Sequence, residues 1–66
     1  MINLSEKIFD ILIKDYLKRA RPVGSKYLHR IYLKNIPPST IRWHLRKLTE
    51  KNLLINSKKN DGRIPT

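Results

Sequence analysis

From Leu4 onward the apolar positions recur every three or four residues. At about 100° per residue, Ile8, Phe9, Leu12, Ile13 and Tyr16 fall on one side of a helix. The pattern predicts a first helix over about residues 5–19. Ser5 is its expected N-cap, Glu6 suits the dipole of the first turn, and Leu4 with Phe9 has the spacing of a hydrophobic staple. This helix reads as scaffold. Arg21-Pro22-Val23-Gly24 then interrupts the period as a linker, because Pro22 biases Arg21 away from helix. Ser25 is expected to cap a second helix, about 25–33, with Leu28, Ile31 and Tyr32 as its buried side.

Ile36-Pro37-Pro38 ends that helix and opens a third, about 38–51. Pro38 at the first helical position loses no needed hydrogen bond, and either Pro37 or Ser39 serves as the N-cap. Ile41, Leu45 and Leu48 form an i, i+4, i+7 core stripe. Leu53 to Ser57 reads as a short strand, Lys58 to Gly62 as a turn carrying an Asp-Gly signal, and Arg63-Ile64-Pro65 as the returning strand of a hairpin over about 53–65. Pro65 restricts that strand to an edge or to its own end. The fold expected for residues 1–66 is a single mainly α domain with a small β-hairpin: a winged helix-turn-helix of three helices plus a two-stranded wing.

On the third helix, the side opposite the core stripe carries Ser39, Trp43, Arg46 and Lys47, with Thr40 and Arg42 at its edges. In a helix-turn-helix this face enters the major groove. There Arg can bind guanine, Thr and aromatic side chains can touch a thymine methyl, and Lys mostly meets phosphate. A tryptophan in a small domain is usually core; helical phase instead turns Trp43 outward. His44 lies beside the core stripe and reads as a boundary packing residue rather than a groove contact. For Arg42, a phosphate contact and plain solvent remain the alternatives, since Glu50 is badly spaced to pair with it. Lys58 and Lys59 at the hairpin tip, with Arg63 behind them, are placed to reach phosphate or the minor groove. Ser25 and Lys26 sit at a helix N-terminus, where backbone N–H groups favour a phosphate oxygen. Lys14, Lys18 and Arg19 read as solubilising.

Charge names the class of partner. The 66 residues hold 15 Lys and Arg against 5 Asp and Glu, a net +10. It is also sorted: residues 1–16 carry two basic and three acidic side chains, the remaining fifty carry 13 and 2. Bases interleaved with apolar residues at helical spacing are the mark of a folded domain with one basic face, so the expected partner is a nucleic acid. No stretch pairs a large apolar face with a basic one as an interfacial helix would, and no membrane partner is expected. There is no cysteine, and His29 and His44 lie fifteen positions apart without a partner at ligand spacing, so neither disulfide, metal nor cofactor is expected. No uninterrupted apolar run exceeds three residues and the N-terminus carries Glu6 and Asp10. That pattern suits a soluble cytoplasmic, nucleoid-associated protein. Paired carboxylates, a nucleophile system and a Gly-rich phosphate loop are all missing from the sequence, which argues against an enzyme.

Pro22-Val23-Gly24-Ser25-Lys26, then Thr40-Ile41-Arg42, Leu53-Leu54 and Gly62-Arg63-Ile64-Pro65-Thr66 resemble, in order and spacing, the N-terminal winged-helix domain of the HrcA heat-shock repressors. The resemblance runs from Leu4 to Thr66. It implies a bacterial transcription repressor domain that binds double-stranded DNA at an inverted-repeat operator, the CIRCE element, upstream of chaperone genes. It also implies a larger sensing and dimerising region after the winged helix, which this chain does not contain. Sixty-six residues do not supply both a core and a sizeable apolar interface, so the chain alone is expected to be a monomer. Two places depart from the family pattern. Trp43-His44 replaces the usual Asn-Asp, and Lys58-Lys59-Asn60-Asp61 replaces a His-Thr-Ser-Ala wing. Both fall on surfaces that would read DNA, so the resemblance carries the fold further than it carries the operator. A competing function is an RNA-binding or accessory winged helix, as found at the N-terminus of some bacterial exoribonucleases.

Overall fold

The structure, a computed structural model, describes residues 3–57 and 62–66. Its elements run α1 (Leu4–Arg19), α2 (Ser25–Ile31), α3 (Pro38–Glu50), β1 (Leu54–Asn56) and β2 (Arg63–Pro65). The fold is a mainly helical winged helix-turn-helix. α3 packs against α1, α2 and β1, and β2 reaches back to α1. One core results, made of Ile8, Leu12, Val23, Leu28, Leu33, Ile41, Leu45, Leu48 and Leu54. Among the described residues no helix is long and apolar enough to cross a membrane.

The start of α1 differs from expectation. Its N-cap is Asn3, in extended backbone, whose Oδ1 accepts the Glu6 N–H at 2.8 Å. Ser5 is therefore inside the first turn and its Oγ lies 2.6 Å from His44 Nδ1 on α3. With Leu4 as the first helical residue, the staple spacing assigned to Leu4 and Phe9 no longer applies, although both pack against the core. The buried side is also rotated. Ile8 and Leu12 are fully buried as expected, but the third buried residue is Asp15, while Phe9, Ile13 and Tyr16 are half-buried.

α1 ends on Ala20 in left-handed backbone (φ 54°, ψ 38°), with its N–H donating to Tyr16 O at 2.7 Å. A Cβ is costly there and glycine is the preferred residue. Ala20→Gly is expected to raise unfolding free energy by about 0.5–1 kcal/mol, after allowing for the extra freedom glycine gives the unfolded chain. A lower melting temperature for this variant would contradict the cap geometry.

The expected linker joins α1 to α2 and sends one residue into the core. Val23 is buried, its N–H donates to Arg63 O at 2.9 Å, and Arg63 N–H donates to Val23 O at 2.8 Å. Arg63 also pairs with Asn56, so β2 is bridged on both sides at that residue. Pro65, opposite Leu54, closes the strand where its missing N–H does least harm. Ser57 N–H donates to Gly62 O at 2.9 Å and ties the two arms of the hairpin. Lys58 and Lys59, together with the Asp61 half of the Asp-Gly turn signal, lie outside the described residues.

α2 is shorter than expected. Gly24 is its N-cap, without a side-chain bond, so Ser25 is the first helical residue rather than the cap. Because the helix stops at Ile31, its period does not carry Tyr32 inward. Ile31 and Tyr32 are 47% and 41% exposed, and Leu33 in the following turn fills the core instead. That turn is held by Leu33 N–H donating to Leu28 O (2.8 Å) and by His29 Nδ1 at 2.7 Å from Ile36 O. A carbonyl only accepts, so His29 carries its proton on Nδ1. Pro37 proves to be the N-cap of α3: its carbonyl accepts from Thr40 (3.0 Å) and Ile41 (3.2 Å), with Pro38 in the first helical position.

Candidate nucleic-acid interface

α3 buries Ile41, Leu45 and Leu48 and turns Ser39, Arg42, Trp43, Arg46 and Lys47 to solvent, with Thr40 half-buried at the edge. The outward phase expected of Trp43 is the one observed, at 52% exposure. Lys47 Nζ lies 5.3 Å from the centroid of the indole and 3.6 Å from Glu50 Oε1. Glu50 thus pairs with Lys47, one turn away on the same helix, rather than with Arg42. His44 is half-buried, as a boundary residue should be, and its ring meets Trp43 edge-on at 5.0 Å and 89°.

The remaining candidates are placed unequally. Lys26 is exposed on the first turn of α2, whereas Ser25 beside it is 3% exposed and has almost no surface to offer a phosphate. Arg63 is half-buried and its Nε–H donates to Thr49 Oγ1 at 3.2 Å, a bond that fastens the hairpin to α3. Thr49 Oγ1 in turn donates to Leu45 O at 2.8 Å. Lys14 pairs with Asp10 at 3.1 Å on the outer side of α1, an exposed contact of little energetic weight.

In the last turns of α1 lies a polar cluster that hydropathy does not announce. Asp15, 2% exposed, accepts from Tyr27 Oη and Tyr32 Oη through Oδ1, both at 2.8 Å, and from Arg19 Nε through Oδ2 at 2.9 Å. Arg19 Nη2 is 2.8 Å from the same Oδ2, and its Cζ sits 4.1 Å from the centre of the Tyr27 ring. The Tyr27 and Tyr32 rings meet edge-on at 6.2 Å. Burial pushes the Asp15 carboxyl up, but the hydrogen bonds from Arg19, Tyr32 and Tyr27 and the Arg19 charge outweigh it, holding it below its ordinary 3.8. The bond to Asp15, aided by desolvation, drives Tyr32 up to about 12. The same bond raises Tyr27. These bonds tie Tyr27 of α2 and Tyr32 just after it to Asp15 in the last turns of α1. The i, i+4 spacing of Asp15 and Arg19 was the cluster's one trace in the sequence.

Fold and exposed basic helix together define a winged helix-turn-helix domain. No family model matches the chain. It is 41% identical over 61 residues to the heat-inducible transcription repressor HrcA of Natranaerobius thermophilus, covering 92% of this chain and 18% of that protein. The HrcA repressors of Acaryochloris marina (35% over 66 residues) and Zymomonas mobilis (39% over 69 residues) are matched across the whole chain, and 18% and 20% of their lengths are covered. The chain spans about a fifth of the length of these curated relatives. A crystal structure described as that of a hypothetical protein superposes with a TM-score of 0.89 at 23% identity, covering all of this chain and 21% of that one. Over that fifth, the chain is similar to proteins named HrcA repressors.

Proposed function

We propose that this chain is the double-stranded DNA-reading domain of a bacterial transcription repressor. The observation that carries the reading is the outward face of α3, where Ser39, Arg42, Trp43, Arg46 and Lys47 stand exposed opposite the buried stripe. The similarity to proteins named heat-inducible transcription repressors supports it. The genes controlled are heat-shock genes, reached through an inverted-repeat operator, as the sequence resemblance implies. Arg46 reads a base edge in the major groove; Arg42 and Lys47 meet the flanking phosphates. Lys58 and Lys59 add phosphate contacts from the hairpin, and Lys26 adds one from α2. The chain alone is a monomer that binds one half-site, and pairing comes from elsewhere in the repressor.

Selection from a random duplex pool, followed by binding measurements on the enriched site, tests this reading. Arg46→Ala is expected to cost about 1–3 kcal/mol on the preferred site and to relax its sequence there, as removal of a bidentate base pairing does. Lys58→Ala and Lys59→Ala are expected to weaken all duplexes alike and to flatten the dependence of affinity on salt by about 0.9 in log–log slope for each phosphate no longer neutralised. Equal losses on preferred and bulk DNA for Arg46→Ala would remove it from base reading. Tighter binding to single-stranded RNA than to any duplex would favour the accessory-module function.

A further inference from the structure

The outward face of α3 holds one large apolar group, and that group is not loose. The Trp43 indole has the His44 ring edge-on against it at 5.0 Å and the Lys47 ammonium 5.3 Å from its centroid. Of the two neighbours, His44 is itself held from another element, whereas the exposed Lys47 pair is a weak one. His44 Nδ1 lies 2.6 Å from Ser5 Oγ in the first turn of α1, and Lys47 Nζ lies 3.6 Å from Glu50. Trp43 nevertheless remains half exposed. An apolar ring that already rests against an anchored neighbour has part of its ordering completed before a partner arrives.

The chemistry of the groove selects that partner. A side chain on a helix in the major groove meets base edges, not base faces, because the pairs stay stacked. Those edges present hydrogen-bond donors or acceptors at every base, and thymine alone adds a methyl group, on its C5, that projects into the groove. The indole has a single polar atom, the donor Nε1–H, and otherwise only carbon surface to bury. Against a donor or acceptor that surface strips water and returns nothing; against a methyl it gains.

We propose that Trp43 is a thymine-reading residue, recognising the 5-methyl group, and that Ser5 and His44 are positioning residues that hold its indole for that contact. The inference rests on the reading of α3 as a DNA-reading helix and adds the base it prefers and the α1 side chain that sets it. Specificity at one base thus depends on a hydroxyl of the scaffold helix, which touches no DNA.

The test uses the duplex enriched from a random pool, with each thymine replaced singly by deoxyuridine so that only the methyl is lost. For the unaltered chain, one or more positions should lose about fourfold in affinity, the worth of one methylene-sized apolar group. Trp43→Ala should bind the thymine and uracil duplexes at those positions equally, whereas Trp43→Phe, which keeps an apolar ring, should retain part of the preference. In Ser5→Ala and His44→Ala the thymine-to-uracil ratio should fall toward one. A merely structural defect would lower both affinities together and leave the ratio standing. Circular dichroism and melting temperature establish that each variant is folded. A preferred site with no thymine whose methyl matters, or a thymine preference that survives in Trp43→Ala, would overturn the inference while leaving the DNA-reading function intact. The absence of any preferred duplex would overturn that function, and this inference with it.

Discussion

Asp15→Ala is expected to remove about 3 kcal/mol of unfolding free energy at neutral pH, because it removes the buried carboxylate that Arg19, Tyr27 and Tyr32 share. For 66 residues the whole stability is roughly 3–10 kcal/mol, so this single change leaves a marginal domain. The loss should be read by urea or thermal denaturation, with Asp10→Ala as the comparison: Asp10 is an exposed acidic residue on the same helix and should change little. The pH dependence carries the sharper signature. The Asp15 carboxyl is held below its ordinary 3.8 when folded, so its contribution is present above that value and is lost as pH falls through the lower, folded one. Tyr32 is displaced the other way, from 10.0 to about 12, so its contribution is complete below pH 10 and fades as pH rises toward 12. Asp15→Ala should flatten both arms together. A variant that is less stable yet keeps the same acid and alkaline slopes would show that the cluster packs the domain without tuning these groups.

The largest effect on binding is expected from pairing two copies. A two-fold coiled coil joined flexibly after Thr66, in a chain whose β2 ends at Pro65, should raise affinity for an inverted repeat on the order of 10² to 10⁴-fold over a single half-site. The gain comes from effective concentration and needs no new contact. It requires a linker able to span half-sites separated by one helical turn, roughly 34 Å, or a multiple of it. Fluorescence anisotropy on the repeat and on one half-site measures the ratio, and a fusion with too short a linker supplies the negative comparison. If the unfused chain already sediments as a dimer at micromolar concentration, the half-site reading is wrong.

Much of this was written in the chain's local pattern. The three helices, the Pro37-Pro38 entry to α3, the stripe of Ile41, Leu45 and Leu48 and the outward turn of Trp43 follow from periodicity, since a helix fixes the angle between its own residues. The sorting of basic residues away from α1 was equally plain, because charge needs no fold to be counted. What tertiary structure decided are the contacts between elements, where a residue's role depends on what another segment brings to it. Asp15 is buried because Tyr27 and Tyr32 arrive from α2 and its vicinity to meet it, and a hydropathy pattern necessarily assigns an aspartate to water. Ser5 is no cap, because Asn3 takes that role and His44 arrives from α3 to meet the hydroxyl. Val23, within the linker, belongs to the core, and Arg63 pairs with it across forty positions. Arg63 is also turned toward Thr49. Local periodicity is set by bond geometry along one segment; polar burial is set by partners, and partners far apart in sequence meet only when the chain has folded.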